Sequence, residues 1–297
     1  MAGAFCVDPN ASIRLSNGKR KKLKDLQLGD SLFTTDSEKK NIVTGILSVD
    51  AKDTVLYDIS GILMSGSHRV KSNNIWILAK DHPDANRKTT RLDQLICLNT
   101  TLHEVPVINS NREITWVGDW EEVDSDEGRK AWISMVNLQL NGGSISVNEY
   151  PTAVPLVSPN VKVMKEDEGL LPIEKIQVGD SILSSKNHYT KVTGIYRGIL
   201  ETEKSVQDPE WISDGVWIQR GLRFWSTLSS GVHHISDESS SDEKNYSRLE
   251  GVFLITEDET FMIERKGSMH CVRDFTEIGA SNIEKTYDLL DLLINKK

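Results

Sequence analysis

The 297-residue chain carries 44 acidic and 35 basic residues, which gives a formal net charge of −9 and a pI near 5.4. A surface of this sign repels phosphate backbones, so nucleic acid is not an expected partner. With 38% hydrophobic and 27% charged residues, the composition is typical of globular protein, and the length suffices for two ordinary domains. A membrane is not an expected partner either, because no apolar run reaches the ~18 residues that span a bilayer.

The cysteines indicate a reducing environment. Cys6, Cys97 and Cys271 are too few and too widely spaced for a disulfide framework, which favours a soluble protein of the cytoplasm or of a virion. Cys97 with His103, and His270 with Cys271, lack the paired spacing that a closed zinc site needs. We therefore predict no metal and no cofactor, and we expect any functional cysteine to act as a thiol.

Short β-strands are predicted from the beginning of the chain. Ser12–Leu15 and Ile42–Val49 are rich in β-branched residues and partly alternate, and Asn17–Gly18 is a tight-turn signal. Gly29–Asp30 is interpreted as a turn, in which glycine takes a positive φ and aspartate caps the backbone. Because long helical periodicity is almost absent, the fold is predicted to be mainly all-β.

The same pattern occurs twice along the chain. LQLGDSLF (Leu26–Phe33) and IQVGDSIL (Ile176–Leu183) share Gln, Gly, Asp and Ser at matching positions, 150 residues apart. Further matches follow in the same order: Val7–Asn10 with Val157–Asn160, Val43–Ile46 with Val192–Ile195, Leu95–Thr100 with Gly251–Thr256, and Val117–Glu122 with Val272–Glu277. Collinear matches of this kind predict two homologous modules, residues 1–150 and residues 151–297.

The second module has two features of its own. The stretch HISDESSSDEKNYS, His234–Ser247, is polar and poor in apolar residues, which predicts an exposed and mobile loop. Ser281 and Glu284 make a capping box at the start of a short C-terminal helix. Its apolar stripe is expected to pack against the second module and consists of Ile283, Tyr287, Leu290 and Ile294.

Residues 6–36, CVDPNASIRLSNGKRKKLKDLQLGDSLFTTD, followed by LMSGSHRV at residues 63–70, resemble the Hint family. This is the self-processing domain shared by hedgehog proteins, inteins and related bacterial and viral proteins. The resemblance is carried by a cysteine that opens a strand, a basic-to-apolar stretch that ends in Gly-Asp, and a later Ser/Thr-x-x-His block. It covers residues 6–122 and reaches the second module only through the internal repeat. It implies two β-rich modules of intertwined strands.

The resemblance also implies a chemistry. The Cys6 thiolate would attack the carbonyl of Phe5 and move the acyl chain from nitrogen to sulfur, which leaves a thioester. An amide nitrogen departs only when it is protonated, so an acid has to stand beside the bond. His68 occupies the family's position for that acid, and Ser65 occupies the position of the hydroxyl, usually a threonine, that bonds the strained peptide. Asp50 occupies the position of an aspartate that accepts a proton from the incoming nucleophile in hedgehog-like members.

The expected function is therefore a single-turnover cleavage at Phe5–Cys6, resolved by water or another nucleophile, with the chain's own N-terminal flanking segment as substrate. Splicing and sterol transfer are not expected, because a terminal His-Asn and a lipid-binding region are not found in this sequence. The alternative is a non-catalytic structural or interaction protein, for example a viral or phage component, and a buried inert Cys6 would indicate it. A cysteine hydrolase that acts on other molecules is a third reading without support in the sequence.

Only the first module is expected to carry chemistry. The repeat sets Leu156 opposite Cys6, and leucine offers no nucleophile. The stretch DGVWIQRGLRFW, Asp214–Trp225, contains no histidine. The second module is therefore expected to bind protein partners or to act as a scaffold. Four aromatic residues of this module are expected to lie in a core or at an interface: Trp211, Trp217, Phe224 and Trp225.

Overall fold

A computed structural model describes residues 6–119, apart from 53, 90 and 91, and residues 156–273, apart from 186, 201–208, 214–215, 220–223, 227–230 and 234–247. The described residues fall into two compact units, a first unit of residues 6–119 and a second unit of residues 156–273. The module boundary after residue 150, the loop His234–Ser247 and the C-terminal helix lie outside the described residues. Each of the three stays a prediction.

Antiparallel strands build both units, which confirms the all-β prediction. The first unit contains β1 (Ser12–Arg14), β2 (Arg20–Lys22), β3 (Ser31–Leu32), β4 (Asn41–Asp50), β5 (Leu56–Ile59), β6 (Ile62–Ser65), β7 (Arg69–Ser72), β8 (Ile75–Leu78), β9 (Asn86–Lys88), β10 (Gln94–Thr100), β11 (Glu104–Ile108) and β12 (Ile114–Gly118). The second unit contains β13 (Lys162–Lys165), β14 (Gly169–Pro172), β15 (Ser181–Leu183), β16 (Tyr189–Leu200), β17 (Pro209–Ser213), β18 (Val216–Gln219), β19 (Phe224–Ser226), β20 (Gly231–His233), β21 (Leu249–Thr256), β22 (Thr260–Arg265) and β23 (Ser268–Arg273).

Helical structure in the described ranges is limited to single 3-10 turns at Leu23–Asp25, Ala79–Asp81 and Ile173–Lys175. None of the helices found there has the length and apolar character needed to cross a membrane.

The strand β4 shows why these segments are strands. Burial alternates strictly from Asn41 to Asp50, with Val43, Leu47 and Val49 on the buried face, because successive side chains of a strand point to opposite faces of the sheet. It pairs with β10 residue for residue until Asn99, which lies opposite Gly45, and a bulge then brings Thr100 opposite Val43. The alternation decides which side chains of β4 are buried, and the bulge marks the position at which the pairing of β4 with β10 shifts by one residue.

The core of the first unit lies against a six-stranded sheet of order β2-β1-β11-β12-β7-β8. Fully buried aliphatic side chains of this kind each contribute about 1.5–3 kcal/mol relative to exposure. Val7 lies outside the strands but bridges Ile96 of β10 and Met64 of β6. The core includes Ile13, Leu32, Met64, Val70, Val107 and Val117. The bridge at Val7 places the preceding residue, Cys6, between two strands.

The second unit repeats the strand pairings of the first. The path β13-β22-β23-β19-β20 corresponds in chain order and pairing to β1-β11-β12-β7-β8. Val157 bridges Val252 and Ile218 as Val7 bridges Ile96 and Met64. The strand β16 also carries the bulge of β4, because Gly194 lies opposite Ile255 and Val192 opposite Thr256.

The two Gly-Asp turns match in detail and confirm the interpretation of these residues as turn residues. Gly29 and Gly179 have φ values of 88° and 94°, a region that favours glycine. The Asp30 carboxylate accepts a hydrogen bond of 2.8 Å from the backbone of Gln27. Asp180 accepts the same bond at the same distance in the second unit.

Candidate functional site

The backbone around Cys6 is held on both sides. The Val7 N–H donates to the carbonyl of Ile96 at 2.9 Å, and the Ile96 N–H donates back to Val7 at 3.0 Å. On the other side, the Asp8 N–H donates to the carbonyl of Leu63 at 2.9 Å. Residues 6–8 therefore run as an extra short strand between β10 and β6.

Ser65, the last residue of β6, contacts both polar backbone groups of Cys6. The Cys6 N–H donates to Ser65 Oγ at 3.0 Å, and the Ser65 N–H donates to the Cys6 carbonyl at 2.9 Å. Both residues are only 2% exposed. The nitrogen that joins Cys6 to Phe5 is thus fixed against a buried hydroxyl, and a catalytic role for Ser65 stays a prediction.

His68 belongs to the same turn as Ser65. Its N–H donates to the Ser65 carbonyl at 3.2 Å, and its own carbonyl accepts from the Ala79 N–H at 2.7 Å. The side chain is buried and lines a small cavity together with apolar residues of β10, β11 and β12, namely Ile96, Leu98, Val105, Val107 and Val117. The turn therefore brings Cys6, Ser65 and His68 into one neighbourhood through Ser65.

Gly66 makes this turn possible. A Cβ atom at this position would lie 2.6 Å from Cε2 of Tyr57. The Gly66 carbonyl accepts a hydrogen bond from the Lys80 N–H at 2.9 Å, which anchors the turn to the 3-10 turn that follows β8. The absence of a side chain lets the turn pass directly over the tyrosine ring.

Asp50 lies elsewhere on the sheet. The strand register sets Cys6 opposite Cys97, and Cys97 pairs with Leu47 of β4. Asp50 is three residues beyond Leu47, about 10 Å along the strand and on its other face. Its carboxylate accepts a hydrogen bond of 2.8 Å from the Lys52 N–H and so ends the strand. A catalytic role for Asp50 stays a prediction.

Asp119 is a carboxylate of this region that sequence reasoning did not single out. In the antiparallel ladder of β12 and β7, Val117 lies opposite Val70. Asp119 directly follows β12 and His68 directly precedes β7, so both residues belong to the same end of this antiparallel pair of strands. A signal was present in the sequence, because this aspartate belongs to VGDWEE, which the second module repeats as VRDFTE.

The Asp119 carboxylate is 1% exposed and is held by two polar partners. Its Oδ2 accepts a hydrogen bond of 3.0 Å from the Thr100 N–H and lies 3.0 Å from Nδ1 of His103. A buried carboxylate is costly unless it is hydrogen-bonded, and these contacts meet that requirement. His103 is therefore a partner of a buried acid.

The second unit has other residues at the corresponding positions. Leu156 precedes the bridging residue Val157, as Cys6 precedes Val7, and it is 3% exposed. Gln219 follows the bridged Ile218, as Ser65 follows Met64. The pairing of Phe224 with Val272 matches that of Val70 with Val117. Counted back from Phe224, the position of His68 is taken in the sequence by Leu222, which lies outside the described residues.

All three cysteines are buried, and no disulfide joins any of them. In the two described ranges, no group of three or more His, Cys, Asp and Glu side chains lies close enough together to hold a metal ion.

Comparison with known proteins finds no matching family model and no matching curated protein. Among solved structures, the MchDnaB-1 intein is 12% identical with a TM-score of 0.25, over 37% of this chain and 98% of that chain. The Msm DnaB1 intein splicing domain bound with zinc is 10% identical with a TM-score of 0.25, over 37% of this chain and 98% of that chain. The AceL NrdHF class 3 split intein is 11% identical with a TM-score of 0.22, over 38% of this chain and 97% of that chain. These values do not assign a family, so the function has to be inferred from the chain's own residues.

Proposed function

We propose that the first unit is a Hint-type self-processing domain that breaks its own Phe5–Cys6 peptide bond. The observation that supports this most directly is the buried 3.0 Å hydrogen bond from the Cys6 nitrogen to Ser65 Oγ, between residues 59 positions apart. This nitrogen is the leaving group of the proposed reaction. A hydroxyl held at hydrogen-bonding distance from it can orient the amide for cleavage.

The first step is an N-to-S acyl shift. The Cys6 thiolate attacks the carbonyl carbon of Phe5, the C–S bond forms, the C–N bond breaks, and the Cys6 nitrogen takes up a proton and leaves as an amine. His68, in the turn that begins at Ser65, is proposed as the proton donor. Water or another nucleophile then attacks the thioester carbon, and the Cys6 thiol leaves. The register favours Asp119 over Asp50 as the carboxylate that orients His68.

The second unit is proposed to be a duplicated copy that lost its reactive residues and now binds or supports a partner. The matching bridges, bulges and Gly-Asp turns of the two units support a common origin. Leu156 in place of Cys6 removes the nucleophile. A copy without a nucleophile is retained for its surface or its packing rather than for bond cleavage.

Burial favours a second candidate function, a non-catalytic structural or interaction protein built on the same two units. Cys6 is as buried as the apolar core around it. A cysteine in such a place commonly acts as a small apolar packing residue. In that case the thiol would be inert, and the bond before it would stay intact.

The test uses the full chain with a reporter protein fused before residue 1. Intact mass is measured before and after incubation with a thiol and with hydroxylamine. Self-processing releases the reporter with the residues up to Phe5, as a thioester or a hydroxamate. Cys6→Ala is expected to abolish release, whereas Cys271→Ala, a buried cysteine of the second unit, is expected to leave it unchanged.

His68→Ala is expected to slow release by roughly 10²–10⁴-fold, the usual contribution of a positioned acid. His82→Ala is the matched control, because His82 lies in a surface turn where its Nδ1 accepts a hydrogen bond from the Asp84 N–H. A folded wild-type fusion that releases nothing under any of these conditions would favour the scaffold function instead.

A further inference from the structure

Cys6 and Cys97 occupy directly opposed positions in neighbouring segments. Val7 and Ile96 exchange two backbone hydrogen bonds, of 2.9 and 3.0 Å, and so form a hydrogen-bonded pair of an antiparallel ladder. Such pairs alternate with non-hydrogen-bonded pairs, whose Cα atoms lie about 4.5 Å apart and whose side chains approach more closely. The next pair in this register is Cys6 with Cys97.

The two thiols also belong to the same face of the ladder. Successive side chains of a strand point to opposite faces. Val7, Ile96 and Leu98 all belong to the apolar core described above, and Cys6 and Cys97 are absent from it although both are buried. Because Cys6 and Cys97 lie directly opposite each other in the ladder, alternation puts their side chains on the same face, the one opposite to Val7 and Ile96.

We propose that Cys6 and Cys97 are a disulfide-forming pair, and that oxidation of this pair reversibly blocks the site. Disulfides require Cα atoms about 4.4–6.8 Å apart, so this register allows the bond without displacement of either segment. Cys271 belongs to the second unit, where it pairs with Met262 in the hairpin of β22 and β23.

The second unit indicates that packing does not require sulfur at either position. Leu156 replaces Cys6, and Phe253 replaces Cys97, since Phe253 pairs with Tyr196 as Cys97 pairs with Leu47. Both replacements are buried and apolar. The first unit instead has two thiols at the paired positions, which is the condition for a covalent link.

The bond requires a two-electron oxidant. Because the thiols are only 2% and 1% exposed, a small neutral oxidant such as hydrogen peroxide fits the site better than a bulky disulfide. Peroxide oxidises one thiol to a sulfenic acid and leaves one water, and the second thiol attacks that sulfur, forms the S–S bond and releases a second water. A thiol or a phosphine reverses the oxidation.

The blocking role rests on the proposed self-processing function. A sulfur atom held in a disulfide has no thiolate and cannot attack the Phe5 carbonyl. Reduction of the pair would restore the nucleophile. Processing would then occur only in a reducing environment, such as the one that the cysteine usage indicates.

The bond itself is tested on the full chain. The protein is treated with hydrogen peroxide while folded, the remaining thiols are alkylated after unfolding, and the peptides are mapped without reductant. A Cys6–Cys97 peptide that disappears on reduction, with alkylation at Cys271 alone, is the expected result. The Cys271→Ser variant is expected to give the same linked peptide, and Cys97→Ser none. Alkylation of all three cysteines in the oxidised wild type, or links to Cys271 as frequent as links to Cys97, would overturn the proposal.

The blocking role is tested on the reporter fusion. Peroxide-treated fusion is expected to release no reporter with hydroxylamine until a phosphine has been added. Full release from a fusion that carries the Cys6–Cys97 link would refute the block. If no fusion releases the reporter in any redox state, self-processing fails, and the peptide map still decides whether the disulfide forms.

Discussion

Ser65 has two tasks at the scale of single residues. Its backbone N–H donates to the carbonyl of Cys6 and its hydroxyl accepts from the Cys6 N–H, so it completes the strand pairing and also supplies a polar group at the proposed leaving nitrogen. A side-chain substitution at Ser65 removes the hydroxyl but keeps the backbone N–H. It therefore separates the contact with the Cys6 N–H from the backbone pairing with the Cys6 carbonyl.

Replacement of Ser65 by alanine is expected to lower the unfolding free energy by about 1–3 kcal/mol, because the buried Cys6 N–H loses its acceptor. Urea unfolding measures this loss, and the reporter fusion measures the accompanying loss of processing. Ser65→Thr keeps the hydroxyl and is expected to retain processing. Ser72→Ala, at the half-buried end of β7, serves as the control, with a change of about 0.5 kcal/mol or less. A Ser65→Ala protein as stable as the wild type would show that this hydrogen bond contributes nothing.

The Gly66 position is expected to be intolerant for a steric reason. A methyl group there would lie 2.6 Å from the Tyr57 ring, so Gly66→Ala should lower the unfolding free energy by about 1–3 kcal/mol. In a double-mutant cycle, the cost of Gly66→Ala should fall sharply in a Tyr57→Ala background, because the obstructing ring is gone. Equal costs in both backgrounds would exclude this contact as the cause.

At the scale of elements, the registers between paired strands decide which residues of the candidate site lie near one another. The hairpin of β7 and β8 turns at Asn73 and Asn74, which have φ values of 50° and 65°, the arrangement of a two-residue hairpin turn that asparagine tolerates. This hairpin holds β7 against β12, and that pairing brings the start of β7, which follows His68, to the end of β12, which precedes Asp119. The corresponding strands of the second unit, β19 and β23, keep the pairing without the histidine.

The hairpin of β22 and β23 is expected to make stability depend on pH. Burial of the His270 imidazole lowers its pKa from the ordinary 6.5, and the positive charge of Arg265 lowers it further. Between the lowered pKa and 6.5, the unfolded chain binds a proton that the folded chain does not bind, so the free energy of unfolding falls as the pH falls below about 6.5.

His270→Gln is expected to flatten this pH dependence, and Arg265→Gln to reduce it by a smaller amount, since burial is the larger cause. Chemical denaturation at a series of pH values from neutral to mildly acidic measures both slopes. An unchanged slope in His270→Gln would remove His270 as the source.

At the scale of the whole molecule, two units share one strand plan and differ at the positions that would react. Leu156, Gln219 and Leu222 take the places of Cys6, Ser65 and His68, so the nucleophile, the hydroxyl and the acid proposed for the acyl shift are all three replaced. Such complete replacement is what loss of a function leaves behind when the fold keeps another use. The proposed chemistry is therefore expected of the first unit alone.

Residues 151–297 fused behind the same reporter are expected to give a folded protein that releases nothing with thiol or hydroxylamine. The full-length fusion provides the positive control for the reagents, and circular dichroism verifies the β-structure of the fragment. Thiol-dependent cleavage at Pro155–Leu156 would contradict the assignment of chemistry to the first unit.

The all-β fold and the Gly-Asp turns could be read from the sequence, because a period of two and the need for a positive φ at Gly29 and Gly179 are local properties of the chain. Resemblance to a known family singled out Cys6, Ser65 and His68, whose catalytic roles stay predictions. Only the tertiary structure decided that Ser65 holds the Cys6 nitrogen, that the Asp119 carboxylate is buried against Thr100 and His103, and that Cys97 lies opposite Cys6. Each of these depends on the register between segments far apart in the chain, and that register is set by hydrogen bonds and packing across the sheet rather than by any local pattern.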